Sequence, residues 1–384
     1  MPIKTCILTS AHPPLDVRIF HKECKSLARA GYEVTLVAPH GESQRIDGIA
    51  IKAVTPPTGR LERFFQTTAA VYRAAVAVDA DVYHFHDPEL IPIGLLLRAR
   101  GKKVIYDIHE DYPNTISYKP YVHKWLQRPL AKIVAIVESL ATRQFSGLIA
   151  ATPEIAARFS RHSNVAVVQN YPIREEFSKE ATGPSPPSDY VTYVGLRITK
   201  ARGAEEMVRA LELLAESLPI RLKLAGTIEP PALLRQLEAT PGWQSTEYLG
   251  SLNRAGVSEV IRNAIAGLVV LHPEPNYVNS HPVKLFEYMC AGIPVIASDF
   301  PVFRSIVEGA KCGLLVDPLS PKEIADAIEF LCTHPNEARA MGERGRQAVD
   351  CRYNWRHEEQ SLLGAYRRVC RVPESYGHLG PELT

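Results

Sequence analysis

One stretch of the chain runs His281-Pro-Val-Lys-Leu-Phe-Glu-Tyr-Met-Cys-Ala-Gly-Ile-Pro-Val-Ile-Ala-Ser298, and it predicts a loop, a short helix and a buried strand in succession. Lys284 and Glu287 are three residues apart, which places them on one helix face near its positive N-terminal end. Gly292 ends the helix, and Pro294 prevents its continuation. A cation and a carboxylate at a helix start suit a ligand with an anionic diphosphate and a ribose diol. An ordinary solvated salt bridge is the alternative.

The length and composition are those of a globular protein with two domains. A chain of 384 residues predicts two domains of about 150–200 residues each. With 46% apolar and 22% charged residues, each half can bury a core. The formal net charge is only +2 and no long run of like charge occurs, so nothing indicates nucleic-acid binding.

Cysteine usage and the N-terminus predict a cytoplasmic location. The seven cysteines lack metal-ligand spacing and CxxC pairs, which is typical of reduced thiols. The run Met1–Ser10 predicts a strand rather than a signal peptide, because its apolar part is too short. No segment approaches the ~20 apolar residues of a membrane span. We therefore expect a cytoplasmic protein, at most peripheral at the inner face of the membrane.

Short apolar runs alternate with amphipathic stretches in both halves, a pattern typical of α/β folds with parallel, doubly wound sheets. The pattern stops once, at 176–189, where three prolines with glycine and serine predict a linker. The predicted N-terminal domain spans 1–175 and the C-terminal domain 190–351. Residues 352–384 predict a helix that crosses back to the first domain, followed by a tail.

The run Pro282–Ala297 resembles the donor-nucleotide motif of the family 4 retaining glycosyltransferases. Shorter motifs of that family accompany it at Tyr193-Val-Gly195, Lys200-Ala-Arg-Gly203, Leu224-Ala-Gly226, Gly267–Pro273 and Cys312–Asp317. The resemblance covers nearly the whole chain. It implies the GT-B fold, in which two Rossmann-like domains with parallel sheets face each other across a cleft.

By this resemblance, the second domain binds the donor. Glu287 would hydrogen-bond the ribose hydroxyls of a nucleotide sugar, since a carboxylate can accept from both hydroxyls of a diol. Arg202 corresponds to the cation that stabilises the diphosphate leaving group as an oxocarbenium-like centre forms. The other implied donor contacts are Gly195, Arg197, Lys200, Asn279, Ser280, Val283 and Lys284, with backbone amides at the helix start receiving the diphosphate.

Two departures from the family pattern are present. The family commonly carries two glutamates separated by seven residues, and the first of these positions is Asn279 here. An amide keeps hydrogen-bonding capacity but cannot act as a base. The loop 195–203 is one residue longer than the commonest form. Which of Arg197, Lys200 and Arg202 contacts the diphosphate is therefore left open.

Candidate residues of the first domain follow its predicted strands. His109 corresponds to a family histidine expected near the donor sugar, where a neutral imidazole would orient the transferred ring; a mere strand-end cap is the alternative. His84 and His86 alternate on one strand and suggest a metal site, but no third ligand has convincing spacing, so no metal is expected. Candidate acceptor contacts are Asp16, which could also cap a helix, Arg18, His21 and His86.

A basic amphipathic helix is predicted over 120–145, within a segment that combines lysines and arginine with Trp125, Leu126, Ile133 and Val134. Such a helix can lie on an anionic membrane surface. Packing of its apolar residues on the sheet, with the lysines solvated, is the commoner arrangement and the one favoured here.

The favoured function is that of a retaining glycosyltransferase, which moves a sugar from a nucleoside-diphosphate sugar to a saccharide or lipid-linked acceptor in polysaccharide or glycoconjugate assembly. The acceptor and the leaving diphosphate would share one face of the sugar, so no enzyme-borne nucleophile is required. Because the fold that the resemblance implies often works without a divalent ion, no metal cofactor is strictly expected. A sugar-nucleotide epimerase or hydrolase of the same fold is one alternative. A catalytically weak subunit that binds nucleotide sugar is the other.

Overall fold

A computed structural model describes residues 1–59, 62–116, 123–177 and 188–371. The chain forms two compact units: Met1–Asn170 together with the C-terminal segment from Trp355, and Tyr171–Asn354. Most of the predicted linker, at 178–187, and the tail from residue 372 onward lie outside the described residues. None of the helices within the described ranges is long and apolar enough to cross a membrane.

The first unit is built on an eight-stranded sheet. Its strands are β1 (Lys4–Leu8), β2 (Glu33–Pro39), β3 (Gln44–Ile46), β4 (Ile49–Val54), β5 (Val82–Phe85), β6 (Lys103–Ile108), β7 (Gly147–Ala150) and β8 (Val165–Val167). They follow the order β3-β4-β2-β1-β5-β6-β7-β8, and all neighbours are parallel except the β3–β4 hairpin. The central strands are buried along nearly their whole length, as expected of a parallel sheet covered on both faces.

Helices connect the strands of this unit. The α-helices span Lys25–Arg29, Thr68–Val78, Ile91–Ala99, Tyr112–Ile116, Lys124–Thr142, Pro153–Ala157 and Trp355–Cys370, with a 3₁₀ turn at Pro88–Leu90 and π-helical segments at Val17–Cys24 and Arg63–Thr67. The alternating pattern predicts the first helix at 19–30. The first helical segment begins earlier, at Val17, because Asp16 caps its N-terminus. The Asp16 carboxylate accepts hydrogen bonds from the backbone amides of Arg18 and Ile19.

The last helix, Trp355–Cys370, completes the core of the first unit. Trp355 donates its indole N–H to Ser26 Oγ at 2.9 Å, and the Tyr366 hydroxyl lies 3.0 Å from His84 Nδ1. Leu362 and Tyr366 are fully buried. The first unit therefore needs chain segments from both ends of the sequence.

The second unit contains a six-stranded sheet in which every neighbouring pair is parallel. Its strands are β9 (Tyr190–Ile198), β10 (Arg221–Ile228), β11 (Thr246–Gly250), β12 (Gly267–Val269), β13 (Val295–Ser298) and β14 (Gly313–Val316), in the order β11-β10-β9-β12-β13-β14. The α-helices span Ala204–Leu214, Pro231–Glu238, Arg254–Arg262, Pro275–Val278, Val283–Ala291, Pro301–Ala310, Pro321–Thr333 and Pro335–Cys351. Shorter 3₁₀ turns lie at Arg174–Glu176, Lys200–Arg202 and Pro241–Ser245.

The α/β fold class with two parallel-sheet domains is thus confirmed, and so is the local prediction around Lys284. The helix Val283–Ala291 ends at Gly292, whose φ of +74° is the left-handed conformation that glycine adopts easily. Strand β13 then enters the sheet between β12 and β14. The whole helix from Lys284 onward is buried, however, so a solvated charged face is not what the fold provides.

Candidate functional site

The second unit holds a buried lysine side chain, Lys284, beside the ring of Tyr193. Among the residues that the structure describes, none accepts a hydrogen bond from Lys284 Nζ, which lies 3.4 Å from the centroid of the Tyr193 ring. Burial, and then the nearby Arg202 guanidinium, hold the pKa of Lys284 well below its usual range, although Glu287 opposes them. Glycine at 195 leaves room for this group, because a Cβ there would lie 3.0 Å from Nζ. The chemistry of this arrangement suits an anionic ligand.

Arg202 is placed beside this ammonium by a tight turn. The 3₁₀ turn Lys200–Arg202 is tied to the end of the sheet by a 2.9 Å hydrogen bond from the His272 amide to the Ala201 carbonyl. Gly203 follows with φ +75°, and a Cβ at that position would meet the Val270 carbonyl oxygen at 2.2 Å. The Arg202 side chain is half-buried, with its guanidinium 5.7 Å from the centroid of the Tyr277 ring. The backbone of this turn therefore requires glycine after Arg202.

The two other predicted cations point elsewhere. Arg197 is 60% exposed and lies 3.7 Å from Glu229, and Lys200 is 67% exposed and lies 3.2 Å from Glu205. Each is thus a surface ion pair of the ordinary kind. Of the three candidates, the structure brings Arg202 to Lys284.

Glu287 is held by an arginine that the sequence did not indicate. Arg254, the first residue of the helix Arg254–Arg262, donates from Nη1 to Glu287 Oε1 at 2.8 Å and also binds Glu176. Its guanidinium lies 5.3 Å from the Phe177 ring centroid. The carboxylate is buried and fixed in one orientation. The simple Lys284–Glu287 salt bridge considered from the sequence is wrong, since Glu287 pairs with Arg254 instead.

The loop before the helix presents the remaining predicted donor contacts. Asn279 ends the short helix Pro275–Val278 and is exposed. The Ser280 hydroxyl donates to the Tyr277 carbonyl at 2.8 Å. Val283 is the first residue of its helix, and no side chain caps that N-terminus. The first amides of a nine-residue helix are therefore available next to two cationic side chains.

In the first unit, His109 leads out of β6 and is held by two buried groups. Its Nε2 lies 3.2 Å from Asp107 Oδ2 and 3.0 Å from His86 Nδ1. An Nε2–H donated to the Asp107 carboxylate leaves Nδ1 as the acceptor nitrogen of the ring. His109 is 17% exposed, whereas the other two are fully buried. The His109 ring is thus oriented from inside the unit.

A buried network of charged groups lies behind His109. Arg18 donates from Nε and Nη2 to Asp107 at 3.0 and 2.8 Å, donates to the Val168 carbonyl at 2.8 Å and lies 3.0 Å from Glu23. Burial alone would raise the pKa of Asp107, but Arg18 and His109 hold it well below its usual range. Burial and Asp107 raise the pKa of Glu23 well above its usual range. The Arg18 guanidinium is therefore hydrogen-bonded to Asp107 and in ion-pair contact with Glu23.

Glu23, His84, His86 and Asp107 bring potential metal-ligand atoms within 4.8 Å of one another. The sequence indicated no third ligand beside His84 and His86, and this prediction is wrong. Packing against β5 brings Glu23 from the first helical segment and Asp107 from β6 to the two histidines. Burial lowers the pKa of His86 to about 4, so the ring is neutral. Arg18 already gives both carboxylates a positive partner. These four side chains are therefore better suited to a hydrogen-bonded network with Arg18 than to binding a divalent ion. That the protein requires no metal stays a prediction.

The candidate acceptor residues separate into buried and surface groups. Arg18 and His86 are interior, so their predicted contact with an acceptor is replaced by support of His109. Asp16 caps its helix and lies 3.4 Å from His12, whose other ring nitrogen lies 3.5 Å from Asp87. His21 is half-buried against the Phe20 ring. His12 was missed from the sequence, although it falls in the polar run that follows β1.

Comparison with known proteins gives family matches over both units. Residues 174–348 match the family described as glycosyl transferases group 1, and residues 17–170 match glycosyltransferase family 4. A phosphatidyl-myo-inositol mannosyltransferase from Mycobacterium leprae is 23% identical over 88% of this chain and 89% of its own length. A D-inositol 3-phosphate glycosyltransferase from Corynebacterium urealyticum is 27% identical over 52% of this chain and 47% of its own. The chain thus spans about half the length of several curated relatives that it matches.

Solved structures show the same fold. The sucrose-phosphate synthase of Thermosynechococcus elongatus superimposes with a TM-score of 0.76 at 17% identity, covering 97% of this chain and 100% of that one. Anabaena HepE, solved in complex with UDP-glucose, gives a TM-score of 0.70 at 14% identity over 95% of this chain and 99% of its own. Both likenesses extend over the two units and correspond to the GT-B fold.

Proposed function

The chain belongs to the family 4 glycosyltransferases, the glycosyl transferases group 1, and from this we propose that it transfers a sugar from a nucleoside-diphosphate sugar to a saccharide or lipid-linked acceptor. The setting we propose is polysaccharide or glycoconjugate biosynthesis in the cytoplasm. A lipid-linked acceptor would bring the protein to the inner face of the membrane. The observation that carries the proposal is the buried Lys284 ammonium, which lacks a hydrogen-bond partner among the described residues and has Arg202 nearby.

A diphosphate would complete this site electrostatically. The Arg202 guanidinium disfavours a charged Lys284 in the free protein, and an anion between the two side chains would stabilise both positive charges. The N-terminal amides of the helix Val283–Ala291 would add donors. The same contacts become stronger as negative charge develops on the departing phosphate, which is the requirement for leaving-group catalysis. Lys284 and Arg202 thereby supply the positive charge that a divalent ion supplies in other enzymes.

Glu287 would bind the ribose. Arg254 holds one carboxylate oxygen in place, so the other oxygen and its remaining lone pairs can accept from a diol without rearrangement of the side chain. Arg254 also gives the buried Glu287 carboxylate an opposite charge at 2.8 Å. Exposed Asn279 in the preceding loop would offer an amide to the donor in the place of the usual acid.

The chemical step we propose retains the anomeric configuration. The acceptor hydroxyl attacks from the face that the diphosphate leaves, and the departing phosphate oxygen takes the acceptor proton. The new glycosidic bond forms as the sugar–phosphate bond breaks, so no enzyme nucleophile is required. His109, with Nε2 held by Asp107 and His86, would accept a hydrogen bond at Nδ1 from a hydroxyl of the transferred sugar.

A thermal-shift panel of UDP, GDP, ADP and TDP tests the donor assignment. One nucleoside diphosphate should stabilise the wild type, by about 2.7 kcal/mol at a hundredfold excess over Kd. Lys284→Met should weaken that binding about tenfold or more, because it removes a buried charge contact. Lys223→Met is the matched control, since Lys223 also stacks on a tyrosine, 4.1 Å from the Tyr190 ring centroid. Lack of stabilisation by every nucleotide, or equal binding by the two variants, would overturn the proposal.

A further inference from the structure

The helix Lys124–Thr142 exposes its large apolar side chains and buries small and polar ones. Ala131, Glu138 and Ala141 face the interior, each at most 9% exposed. Five large apolar residues at alternating spacings of four and three line the outer face as one apolar stripe: Leu126, Leu130, Ile133, Val137 and Leu140. Ile133 and Leu140 are each 56% exposed. The favoured prediction of apolar packing on the sheet is therefore wrong for this helix.

The apolar surface extends beyond the stripe. Trp125, near the start of the helix, is 74% exposed and Ile136 is 59% exposed. The neighbouring helix Ile91–Ala99 packs against it and adds exposed Leu95 and Leu96. Contiguous apolar surface of this kind on a soluble domain marks a site of interaction, whereas single exposed leucines are ordinary.

The exposed charged residues on this helix and at its C-terminal end are positive. Arg128, Lys132 and Arg143 are exposed. The acid of this helix, Glu138, is turned inward and pairs with Arg158 at 2.6 Å. A second copy of the chain in a twofold interface would place these cations against their own equivalents. A surface of anionic lipid headgroups over acyl chains matches both the charge and the apolar stripe.

We propose that the helix Lys124–Thr142 docks this protein on an anionic phospholipid surface. The helix lies in the plane of the interface, with the apolar stripe among the upper acyl chains. Arg128 and Lys132 lie at the headgroups, and Trp125 sits at the boundary where tryptophan is favoured. The docking site does not depend on the sugar donor, and it would bring the first unit to a lipid-linked acceptor.

Vesicle co-sedimentation of the full chain tests the proposal. We expect binding to phosphatidylcholine vesicles that contain about a quarter phosphatidylglycerol, and weaker binding to pure phosphatidylcholine or at high salt. The double substitution Ile133→Ser with Val137→Ser should weaken binding about tenfold or more, because it removes most of the apolar insertion. Leu213→Ser is the matched control, since Leu213 is 57% exposed on the second unit. It should bind as the wild type does.

Further variants separate the two contributions. Arg128→Gln with Lys132→Gln should remove the preference for phosphatidylglycerol and leave residual binding to neutral vesicles. Brominated acyl chains should quench part of the tryptophan fluorescence of the wild type. They should quench less of it in Trp125→Phe, which keeps the other two tryptophans. Thermal melts followed by circular dichroism should be the same in all these variants, which shows that they are folded without reference to nucleotide binding and separates this test from the donor assignment.

Two results would overturn the proposal. One is equal vesicle binding, or none, by the wild type and the Ile133/Val137 variant when both are folded. The other is a wild-type dimer in light scattering that these two substitutions dissociate, since the stripe would then bind a second copy of the chain rather than lipid.

Discussion

At the scale of single residues, the proposed donor site depends on charged side chains that the fold buries. The Lys284 side chain has no hydrogen-bond partner among the described residues, and its pKa is depressed by burial and by Arg202. Glu287, three residues later on the same helix, is paired by Arg254. A lysine that is costly to keep charged in the free protein gains more from an anionic ligand than an exposed lysine does. This difference is measurable as a coupling between nucleotide binding and protonation.

Binding of a nucleoside diphosphate should take up a proton at Lys284. Between the depressed pKa of the free protein and the usual lysine value of about 10.4, the side chain is neutral until the anion recharges it. Affinity should therefore fall as pH rises through that window, by up to about tenfold per pH unit. Titration calorimetry in two alkaline buffers of different ionisation enthalpy measures the proton. Lys284→Met should abolish the uptake and Lys223→Met should retain it; uptake that persists in Lys284→Met would assign it elsewhere.

At the scale of elements, the sequence correctly predicted the features that depend on neighbouring residues along the chain. The helix Val283–Ala291 has its predicted bounds because Gly292 ends it, and the alternation of strands and helices was sufficient for the fold class. The orientation of Lys124–Thr142 was not predictable, since its periodicity is compatible with either face turned inward. Arg254 was missed because its contact with Glu287 spans 33 residues and forms only when their helices pack. Both the orientation of the helix Lys124–Thr142 and the Arg254–Glu287 contact therefore depend on long-range packing, which the periodicity of the sequence does not reveal.

Gly203→Ala should destabilise the turn that carries Arg202. An alanine at position 203 would have to adopt φ near +75°, and its Cβ would lie 2.2 Å from the Val270 carbonyl oxygen. We therefore expect the free energy of unfolding to fall by about 2–4 kcal/mol. Gly250→Ala is the control within the same unit, with φ +63° and no atom within 4 Å of its Cβ. It should lose only about 1 kcal/mol. Urea unfolding measures both; equal losses would mean that the close approach at Val270 is relieved at no cost.

At the scale of the whole molecule, the two units differ in how the chain builds them. The second unit is one continuous segment, Tyr171–Asn354, with its own sheet and hydrophobic core. The first unit needs the helix Trp355–Cys370, whose Leu362 and Tyr366 fill its core. The second unit can therefore be separated from the chain, whereas the first cannot be made from its N-terminal segment alone.

A fragment of residues 171–354 should fold and bind the nucleoside diphosphate, because Lys284, Arg202, Glu287 and Arg254 all belong to it. A fragment of residues 1–170 should be unfolded or aggregated, since the core is left open where the last helix packs. Circular dichroism melts and nucleotide titrations of both fragments provide the measurement. A stable fragment 1–170 would show that the last helix is dispensable, and a folded fragment 171–354 without nucleotide affinity would remove the donor site from this unit.

The central claim is that Lys284 and Arg202 stabilise a departing diphosphate during glycosyl transfer. Its most direct test is the release of nucleoside diphosphate from a panel of sugar nucleotides by the full chain, with a glycolipid extract as the source of acceptor. We predict acceptor-dependent release from one donor by the wild type and by Lys223→Met, persisting in the presence of a chelator. Lys284→Met should lower the rate about 10²–10³-fold. Undiminished release by Lys284→Met, or no release from any donor, would contradict the claim.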